Sequence, residues 1–228
     1  MLLLTSVSPE NDAGKFVAQR ELMVATQLRA RGISDQRVLA AMAHVPRHLF
    51  VAEEYRDQAY EDHPVPIGEG QTLSQPYIVA IMLQALSLTG SERLLEIGTG
   101  SGYMTALLAE LAAEVYSVER HASLAASAER VLAELAYRNV HLVVADGSQG
   151  LPQHAPFTAI VVSAAAPDVP PALFEQLAEN GRMVIPVGPS HAQALQLVRK
   201  LNGEPVVEIL EGCRFVPLIG GQGYPEGW

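Results

Sequence analysis

A glycine-rich segment is the first part of this sequence with the residue types and spacing for chemistry. The segment is Gly98-Thr99-Gly100-Ser101-Gly102. It follows an apolar, strand-like run that contains Glu96, and a helix-like run begins directly after it. Glycines at such a junction let the backbone turn sharply and approach a ligand. A dinucleotide-binding loop places its third glycine three residues after its second, whereas these glycines are evenly spaced. The spacing and the acid favour a ligand ammonium group over a pyrophosphate.

Two further acids stand where the neighbouring strands are expected to end. Glu119 closes the next strand-like run, and Asp146, followed by Gly147, closes the one after it. Parallel strands end at one edge of a sheet, so the three carboxylates are expected along that edge. Glu119 can accept hydrogen bonds from both hydroxyls of a ribose, and Asp146 from the exocyclic amine of adenine. Each acid alone could instead be solvated or cap a helix, but three in register with the glycine loop favour a ligand site.

The charge of this candidate site indicates which adenosine ligand would fit. The glycine loop holds no basic residue, and Arg120 alone is a poor partner for a diphosphate. S-adenosylmethionine is an adenosine joined to an amino acid through a positively charged sulfur, and it carries no phosphate. We therefore predict S-adenosylmethionine as the cofactor.

The predicted elements explain how these residues would be brought together. Strands are predicted over residues 93–97, 115–119, 140–145, 159–163 and 182–187, and helices over residues 103–111 and 122–137. Such alternation implies right-handed crossovers and a doubly wound, mostly parallel α/β sheet of the Rossmann-like type. Two more strand-like runs flank Asn202-Gly203, a strong hairpin signal. The sheet is therefore expected to end in a C-terminal antiparallel hairpin.

The pattern of predicted elements changes near residue 90, from helices and a connector to alternating strands and helices. Residues 1–90 are predicted to form an N-terminal helical extension with a substrate-side connector. Residues 91–228 are predicted to form the cofactor-binding core, with both parts packed as one unit. Within the connector, residues 62–76 hold three prolines and two glycines. That composition predicts an irregular segment.

Two helices are predicted in the N-terminal part. Apolar residues at helical spacing predict the first over residues 16–31, with Gly32 as its C-cap. Either Ser34 or Asp35 is expected to cap the second helix, which continues through residue 43 and is ended by Pro46.

Composition narrows the class of protein. The 228 residues are 49% hydrophobic and 18% charged, which is enough for a sizeable core. A formal net charge of −10 argues against nucleic acid as a partner, because phosphate binding needs a basic face. The one cysteine, Cys213, cannot form an internal disulfide, which fits a cytoplasmic location. No apolar run is long enough for a membrane span, and the seven histidines lack metal-ligand spacing.

A segment before the predicted sheet resembles the signature of a known family. This segment, Gly70-Gln71-Thr72-Leu73-Ser74-Gln75-Pro76-Tyr77, is similar to that of the protein-L-isoaspartate O-methyltransferases. The glycine loop is shared by many methyltransferases, whereas this segment is far more specific to the family. The resemblance runs from about Met23 to the C-terminus and includes Val45-Pro46-Arg47-His48-Leu49-Phe50-Val51, Val118-Glu119-Arg120, Ala155-Pro156-Phe157, Ala164-Ala165-Ala166-Pro167 and Arg214-Phe215-Val216-Pro217-Leu218.

The resemblance implies an enzyme of protein repair. Members of the family use S-adenosylmethionine to methylate the carboxylate of L-isoaspartyl residues in damaged proteins and peptides, and D-aspartyl residues are a further candidate. Isoaspartate arises when asparagine or aspartate cyclises through a succinimide. The methyl ester re-forms the succinimide faster, so normal aspartate is gradually recovered. The implied partners are isoaspartyl-containing proteins and peptides.

The resemblance also implies roles for individual residues. Ser74 corresponds to the proposed active-site serine of the family; without the resemblance it would be assigned to stabilising the turn before Gln75-Pro76. Cofactor contacts are expected from Gln71, Thr72, Glu96, Gly98, Thr99, Gly100, Ser101, Gly102, Glu119, Arg120, Asp146 and Gly147. Substrate contacts are expected from Ser74, Ala164, Ala165, Val216 and Leu218.

The implied chemistry needs few catalytic groups. The nucleophile is a carboxylate whose pKa in an unperturbed side chain is about 3.9, so it is ionised at neutral pH without a general base. Rate must come from aligning the attacking oxygen, the methyl carbon and the sulfur, and from replacing water around the carboxylate. The Ser74 hydroxyl is expected to hold one carboxylate oxygen and aim the other.

Two other interpretations stay open from the sequence. A relative with the same fold could act on another carboxylate or on a small metabolite, although the Thr72-Leu73-Ser74 segment favours the repair enzyme. A cofactor-binding module without catalysis is disfavoured by the intact glycine loop and the three acids. Ala145, Thr158 and Met104 depart from the residues common in the family. We expect little effect from the first two and altered packing of the loop on the cofactor from the third.

Overall fold

The computed structural model describes residues 9–227; residues 1–8 and 228, at the outer ends of the two predicted parts, lie outside that range. The first helix, α1 (Pro9–Met23), continues through a π-helical turn and a 3₁₀ turn as far as Gly32. Gly32 has a φ of 91°, the left-handed conformation typical of a helix C-cap. The predicted end of the first helix is therefore confirmed.

Helix α2 (Gln36–His44) begins at one of the two predicted caps. The Asp35 carboxylate accepts hydrogen bonds from the backbone N–H groups of Arg37 (2.9 Å) and Val38 (3.3 Å). These bonds satisfy N–H groups that have no partner within the helix, so Asp35 is the N-cap. Two 3₁₀ turns follow, Arg47–Phe50 and Glu53–Gln58.

The prediction that residues 62–76 are irregular is wrong. Strands β1 (Val65–Gly68) and β2 (Gln71–Leu73) pair antiparallel within this segment. They are joined at Glu69 and Gly70, whose φ angles of 52° and 70° are both left-handed, as a tight hairpin requires. Prolines are tolerated here because a two-stranded sheet leaves one edge of each strand unpaired.

Helix α3 (Pro76–Leu86) has no counterpart among the sequence predictions. It begins with Pro76 at its first position, where a missing N–H costs nothing. Its residues are apolar on most sides, and Val79, Met82 and Leu86 are buried. A helix without a polar face lacks the periodicity that reveals helices in a sequence.

A seven-stranded sheet forms the centre of the fold. Its strands are β3 (Arg93–Ile97), β4 (Glu114–Glu119), β5 (Val140–Val144), β6 (Phe157–Val162), β7 (Leu177–Val187), β8 (Gln193–Leu201) and β9 (Glu204–Cys213). Their spatial order is β5-β4-β3-β6-β7-β8-β9. The first five in that order run parallel, and β8 and β9 form an antiparallel hairpin at one edge. The predicted doubly wound, mostly parallel sheet and its C-terminal hairpin are confirmed.

Helices cover both faces of this sheet. They are α4 (Tyr103–Leu111), α5 (Ala122–Glu134) and α6 (Pro171–Gln176), together with α2 and α3. The helices and the sheet form two hydrophobic clusters, one on each face of the sheet. Leu94 of β3 packs in the cluster that contains α4, and the next residue, Leu95, packs in the cluster that contains α6. Met82 of the N-terminal part shares the cluster of Leu94, and the division at residue 90 stays a prediction. Within residues 9–227, no helix combines the length and the apolar character needed to cross a membrane.

Candidate active site

A cavity opens at the carboxyl-terminal edge of the sheet, beside β3. The strand order changes direction there, because β4 lies on one side of β3 and β6 on the other. Such a switch point separates the following loops and leaves a crevice for a ligand. We call this space the inner cavity; it encloses about 960 Å³, including its mouth. It is lined by these predicted site residues: Gln71, Thr72, Ser74, Gly98, Thr99, Gly100, Ser101, Glu119, Arg120, Gly147, Ala164, Val216 and Leu218.

The glycine loop turns through left-handed backbone at each of its glycines. The φ angles are 90° at Gly98, 55° at Gly100 and 89° at Gly102, a conformation that other residues rarely adopt. A Cβ atom on Gly100 would lie 3.2 Å from Cδ1 of Ile67, so the β1–β2 hairpin packs directly on the loop. Gly102 precedes α4 as its N-cap and does not line the inner cavity, and a Cβ atom there would lie 3.0 Å from Cβ of Ala128.

Glu119 ends β4 and faces the inner cavity. Its Oε2 accepts a hydrogen bond from the Gly100 N–H, and its Oε1 accepts one from the His121 N–H, both at 2.9 Å. The residue is 5% exposed, which leaves its carboxylate accessible only from the cavity side. Each carboxylate oxygen can accept a second hydrogen bond, so the group can take up two hydroxyl donors.

Glu96 lies behind the glycine loop and does not line the inner cavity. Side chains alternate along a strand, and Glu96 points towards α4. Its Oε2 accepts from the hydroxyls of Thr105 and Ser117, both at 2.6 Å, while Oε1 has no hydrogen-bond partner in the described part of the chain. Burial raises the pKa of Glu96 to about 8, partly offset by the two hydroxyl bonds. This position corrects the expectation that Glu96 holds a ligand ammonium, and we assign it no direct ligand contact.

Asp146 follows β5, and protein groups donate to both of its oxygens. Oδ1 accepts from the N–H (2.9 Å) and the hydroxyl (2.7 Å) of Ser148, and Oδ2 accepts from the Gly221 N–H (2.8 Å). Partial burial opposes ionisation, but these bonds hold the pKa of Asp146 below its usual value. Asp146 does not line the inner cavity, whereas Gly147 does; a Cβ atom on Gly147 would lie 2.6 Å from Cγ2 of Ile97. A contact between Asp146 and the adenine amine stays a prediction.

A second cavity, which we call the outer groove, lies next to the inner cavity and shares Ser74 with it as a lining residue. Ser74 is half-buried and directly follows β2, and its carbonyl accepts a hydrogen bond of 2.7 Å from Nη2 of Arg47. The outer groove spans about 1080 Å³, including its mouth. Four residues line both spaces: Thr72, Ser74, Ser163 and Val216. Residues that line the outer groove but not the inner cavity include His191, Cys213, Arg214 and Phe215.

The segment after β9 forms part of the wall between the two spaces. The Ala165 N–H donates to the Val216 carbonyl, and the Ala165 carbonyl accepts from the Leu218 N–H, both at 2.8 Å. Ala164 lines the inner cavity, whereas Ala165 is fully buried and holds this wall through its backbone. The predicted substrate residues are therefore brought together, except that the Ala165 side chain does not reach either space.

Ion pairs and hydrogen bonds connect the rim of the inner cavity. Nη2 of Arg120 lies 2.7 Å from Oε1 of Glu226, which joins the end of β4 to the C-terminal segment. The Ser123 hydroxyl donates over 2.6 Å to Oε1 of Glu69 in the β1–β2 turn.

Several lining residues escape prediction from the sequence. Ser163 follows β6 at the same edge as Glu119, and the rule that ligands bind beyond strand ends could have identified it. Ile67 escapes prediction because it lies in residues 62–76, the segment that is predicted to be irregular but forms the β1–β2 hairpin. Of the departures from the family pattern, Met104 lines the inner cavity, while Thr158 donates to the Arg93 carbonyl at the opposite end of the sheet.

The sheet, the loop and the strand-end acid together define a class of protein. A glycine loop after one parallel strand, with a carboxylate at the end of the next and no phosphate-binding base in the loop, is the site of a Rossmann-like, S-adenosylmethionine-dependent methyltransferase. More specifically, the chain belongs to the protein-L-isoaspartate(D-aspartate) O-methyltransferase family, whose sequence profile matches residues 18–223.

Individual relatives agree with this assignment. Protein-L-isoaspartate O-methyltransferase of Koribacter versatilis is 56% identical over 213 residues, covering 93% of this chain and 96% of that protein. The enzyme of Syntrophus aciditrophicus is 55% identical over 213 residues, covering 92% and 98%. A solved protein-L-isoaspartate O-methyltransferase has a TM-score of 0.81 at 31% identity, covering 90% of this chain and 67% of its own. A Plasmodium falciparum structure, described as this methyltransferase in complex with S-adenosyl-L-homocysteine, has a TM-score of 0.76 at 28% identity, covering 86% and 96%. The predicted family is confirmed.

Proposed function

We propose that this enzyme transfers the methyl group of S-adenosylmethionine to the free carboxylate of L-isoaspartyl residues in proteins and peptides. The observation that carries the proposal is that Ser74 lines both the inner cavity and the outer groove. A cofactor in the first space and a peptide in the second would meet there. Membership of the family supports the substrate class. The relative in complex with S-adenosyl-L-homocysteine supports the cofactor.

The inner cavity offers a suitable partner for each part of the cofactor. Glu119 would accept hydrogen bonds from the two ribose hydroxyls, because its carboxylate ends β4 at the cavity wall. The adenine would lie beside Gly147, where a side chain would clash with Ile97. Asp146 holds that turn in place through Ser148. The methionine part would follow the glycine loop towards Ser74.

The reaction needs alignment and no proton transfer. A carboxylate oxygen forms a bond to the methyl carbon as the carbon–sulfur bond breaks, and the bonding electrons go to sulfur. The products are a methyl ester and S-adenosylhomocysteine, so the negative and positive charges of the reactants cancel. An environment with little water favours such charge cancellation and prevents hydration of the nucleophile. Both spaces supply apolar walls from Val216 and its neighbours.

Ser74 is the residue that we propose to touch the reacting carboxylate. It lines both spaces, and its hydroxyl can donate to one carboxylate oxygen while the other attacks. Thr72, which also lines both spaces, would support the same pocket. Because esterification speeds re-formation of the succinimide, the product returns to normal aspartate, and the proposed role is protein repair.

The partners and the location follow from the same chemistry. We propose a reaction without a metal ion, since the nucleophile is already ionised and the leaving group is already charged. The net charge of −10 supports a protein substrate rather than a nucleic acid. The one cysteine, Cys213, supports a reducing compartment, and we propose the cytoplasm.

Transfer of a radiolabelled methyl group tests the proposed function. The purified protein is given S-adenosylmethionine and a peptide containing L-isoaspartate, and the same peptide with ordinary aspartate serves as the matched control. We expect labelling of the first peptide only, as a base-labile ester. Equal labelling of both peptides would favour an enzyme for other carboxylates. Binding of S-adenosylhomocysteine without labelling of either would favour a module that has lost catalysis. A D-aspartyl peptide is the second substrate to try, because the name of the family includes it.

A further inference from the structure

Arg47 is a charged residue buried completely inside the fold. It begins the 3₁₀ turn Arg47–Phe50, and none of its surface is exposed. Its Nε donates to the Ala59 carbonyl (2.5 Å) and its Nη2 to the Ser74 carbonyl (2.7 Å). Within the described residues, Nη1 has no hydrogen-bond partner. Its hydrogen bonds thus go to main-chain oxygens and not to a carboxylate.

The same guanidinium also lies against the ring of Tyr103, a second residue of the inner cavity. Its Cζ lies 4.9 Å from the centre of the Tyr103 ring. Tyr103 is the first residue of α4, directly after the glycine loop, and it lines the inner cavity. Arg47 therefore connects Ser74, on the substrate side, to the residue that follows the cofactor loop.

Burial of this charge is costly, which calls for an explanation. Removing a guanidinium from water is unfavourable unless partners compensate, and a well-packed apolar side chain would fill the same space without that cost. Burial lowers the pKa of Arg47 to about 10, opposed by the side chains of Tyr103 and Tyr60. The group is therefore still protonated at neutral pH. Its planar fork holds donors on separate nitrogens in fixed directions, whereas a lysine donates from a single nitrogen and an apolar residue does not donate at all.

We propose that Arg47 is a positioning residue for methyl transfer, which fixes Ser74 against the cofactor loop through the Ser74 carbonyl and the Tyr103 ring. This inference rests on the proposed function. Ser74 lies between β2 and α3, and backbone freedom there would move its hydroxyl relative to the reacting carboxylate. A displacement of about 1 Å at a reacting centre costs about 100-fold in rate.

A double-mutant cycle tests whether Arg47 acts through Ser74. Arg47→Met is made in the parent and in Ser74→Ala, and kcat, KM for the isoaspartyl peptide, affinity for S-adenosylhomocysteine and Tm are measured. We expect Arg47→Met to lower kcat about 10- to 100-fold in the parent, with a change in cofactor affinity below about threefold. In the Ser74→Ala background the loss in kcat should shrink to below about threefold, because no hydroxyl remains to be misplaced. Arg47→Lys keeps the positive charge but donates from one nitrogen instead of two. Its kcat should therefore lie between those of Arg47→Met and the parent.

Arg37→Met is the matched control. Arg37 also donates to two main-chain carbonyls, those of Leu88 and Leu111, but it lies away from both cavities. Its substitution should lower Tm and leave kcat unchanged.

The inference is overturned if Arg47→Met lowers kcat by the same factor in both backgrounds, if cofactor affinity falls in step with kcat, or if kcat does not change. If Arg47→Met does not fold, the cycle uses Arg47→Lys; failure of both to fold would show a purely structural role. A parent that does not methylate the peptide would instead overturn the proposed function.

Discussion

The backbone N–H of Gly100 donates to Oε2 of Glu119 over 2.9 Å, so a hydrogen bond holds the loop after β3 to the end of β4. The same carboxylate receives the His121 N–H on its other oxygen. Glu119 therefore shapes two backbone segments of the inner cavity and also presents the expected acceptor for the ribose. Loop geometry and cofactor recognition depend on one side chain.

Glu119→Ala should weaken the binding of S-adenosylhomocysteine by about 1–3 kcal/mol, the usual cost of losing hydrogen bonds to a charged group. Calorimetry measures the change directly. Glu114→Ala is the matched control, because Glu114 lies at the other end of β4 and bonds to Arg93 and Tyr116. Parental affinity in Glu119→Ala would contradict the ribose assignment.

Asp146→Asn should reduce stability in a pH-dependent way. The folded pKa of Asp146 is lowered, so its ionised form contributes stability that is present above the unfolded pKa of about 3.9. That contribution is lost as the pH falls through the lower, folded pKa. We expect the variant to have a lower Tm than the parent from pH 8 to about pH 5, with the gap closing below about pH 4. Asp168→Asn, which removes an exposed acid, is the matched control, and its Tm should stay close to that of the parent.

The same substitution should affect the cofactor less than Glu119→Ala does. Asp146 is bound by Ser148 and Gly221, and Gly147 lines the cavity with its backbone. Loss of the carboxylate therefore disturbs the adenine side mainly through the position of this turn. The loss of affinity for S-adenosylhomocysteine should therefore be smaller than the loss of about 1–3 kcal/mol expected for Glu119→Ala. A larger loss in Asp146→Asn than in Glu119→Ala would reverse this order.

Glu96→Gln should remove a dependence of stability on pH between about pH 4.3 and pH 8. Burial raises the folded pKa of Glu96 to about 8, against about 4.3 in an unfolded chain. The folded state thus holds a proton that the unfolded state has lost, and stability falls as the pH rises between these two values. Glutamine cannot ionise, so the Tm of the variant should rise relative to the parent from pH 5 to pH 9. Parallel curves of Tm against pH would contradict the neutral form of Glu96.

Glu96→Ala separates the charge from the hydrogen bonds. Alanine leaves the buried hydroxyls of Ser117 and Thr105 without the acceptor that Oε2 supplies. An unsatisfied buried donor costs about 1–3 kcal/mol. The alanine variant should therefore have a lower Tm than Glu96→Gln at every pH.

The sheet and the glycine loop could be predicted because their signals are local. Strand β3 has the predicted bounds of residues 93–97, and the Asn202-Gly203 turn joins β8 to β9. Helix α3 escaped prediction, since its apolar surface carries no helical period. The hydrogen bond from the Gly221 N–H to Asp146 could not be predicted either, because these two residues are 75 positions apart along the chain. Side chains alternate along β3, and this alternation turns Glu96 away from the cavity. Its carboxylate therefore bonds to residues of α4 and β4 and does not reach a ligand.

Ser74→Ala should reduce turnover while leaving cofactor affinity nearly unchanged. Ser74 precedes the sheet and lines both spaces, whereas Glu119 and the glycine loop line the inner cavity and not the outer groove. Since the nucleophile needs no deprotonation, the loss should reflect misalignment, about 10- to 1000-fold in kcat. The ratio of parent to variant rates should stay flat from about pH 6 to pH 8, because neither a serine hydroxyl nor an ionised carboxylate titrates there. Ser74→Thr keeps the hydroxyl and should retain more activity than the alanine variant. Full activity in Ser74→Ala would remove the serine from the mechanism, and an equal loss of cofactor affinity would make it a cofactor-pocket residue like its neighbours Gln71 and Thr72.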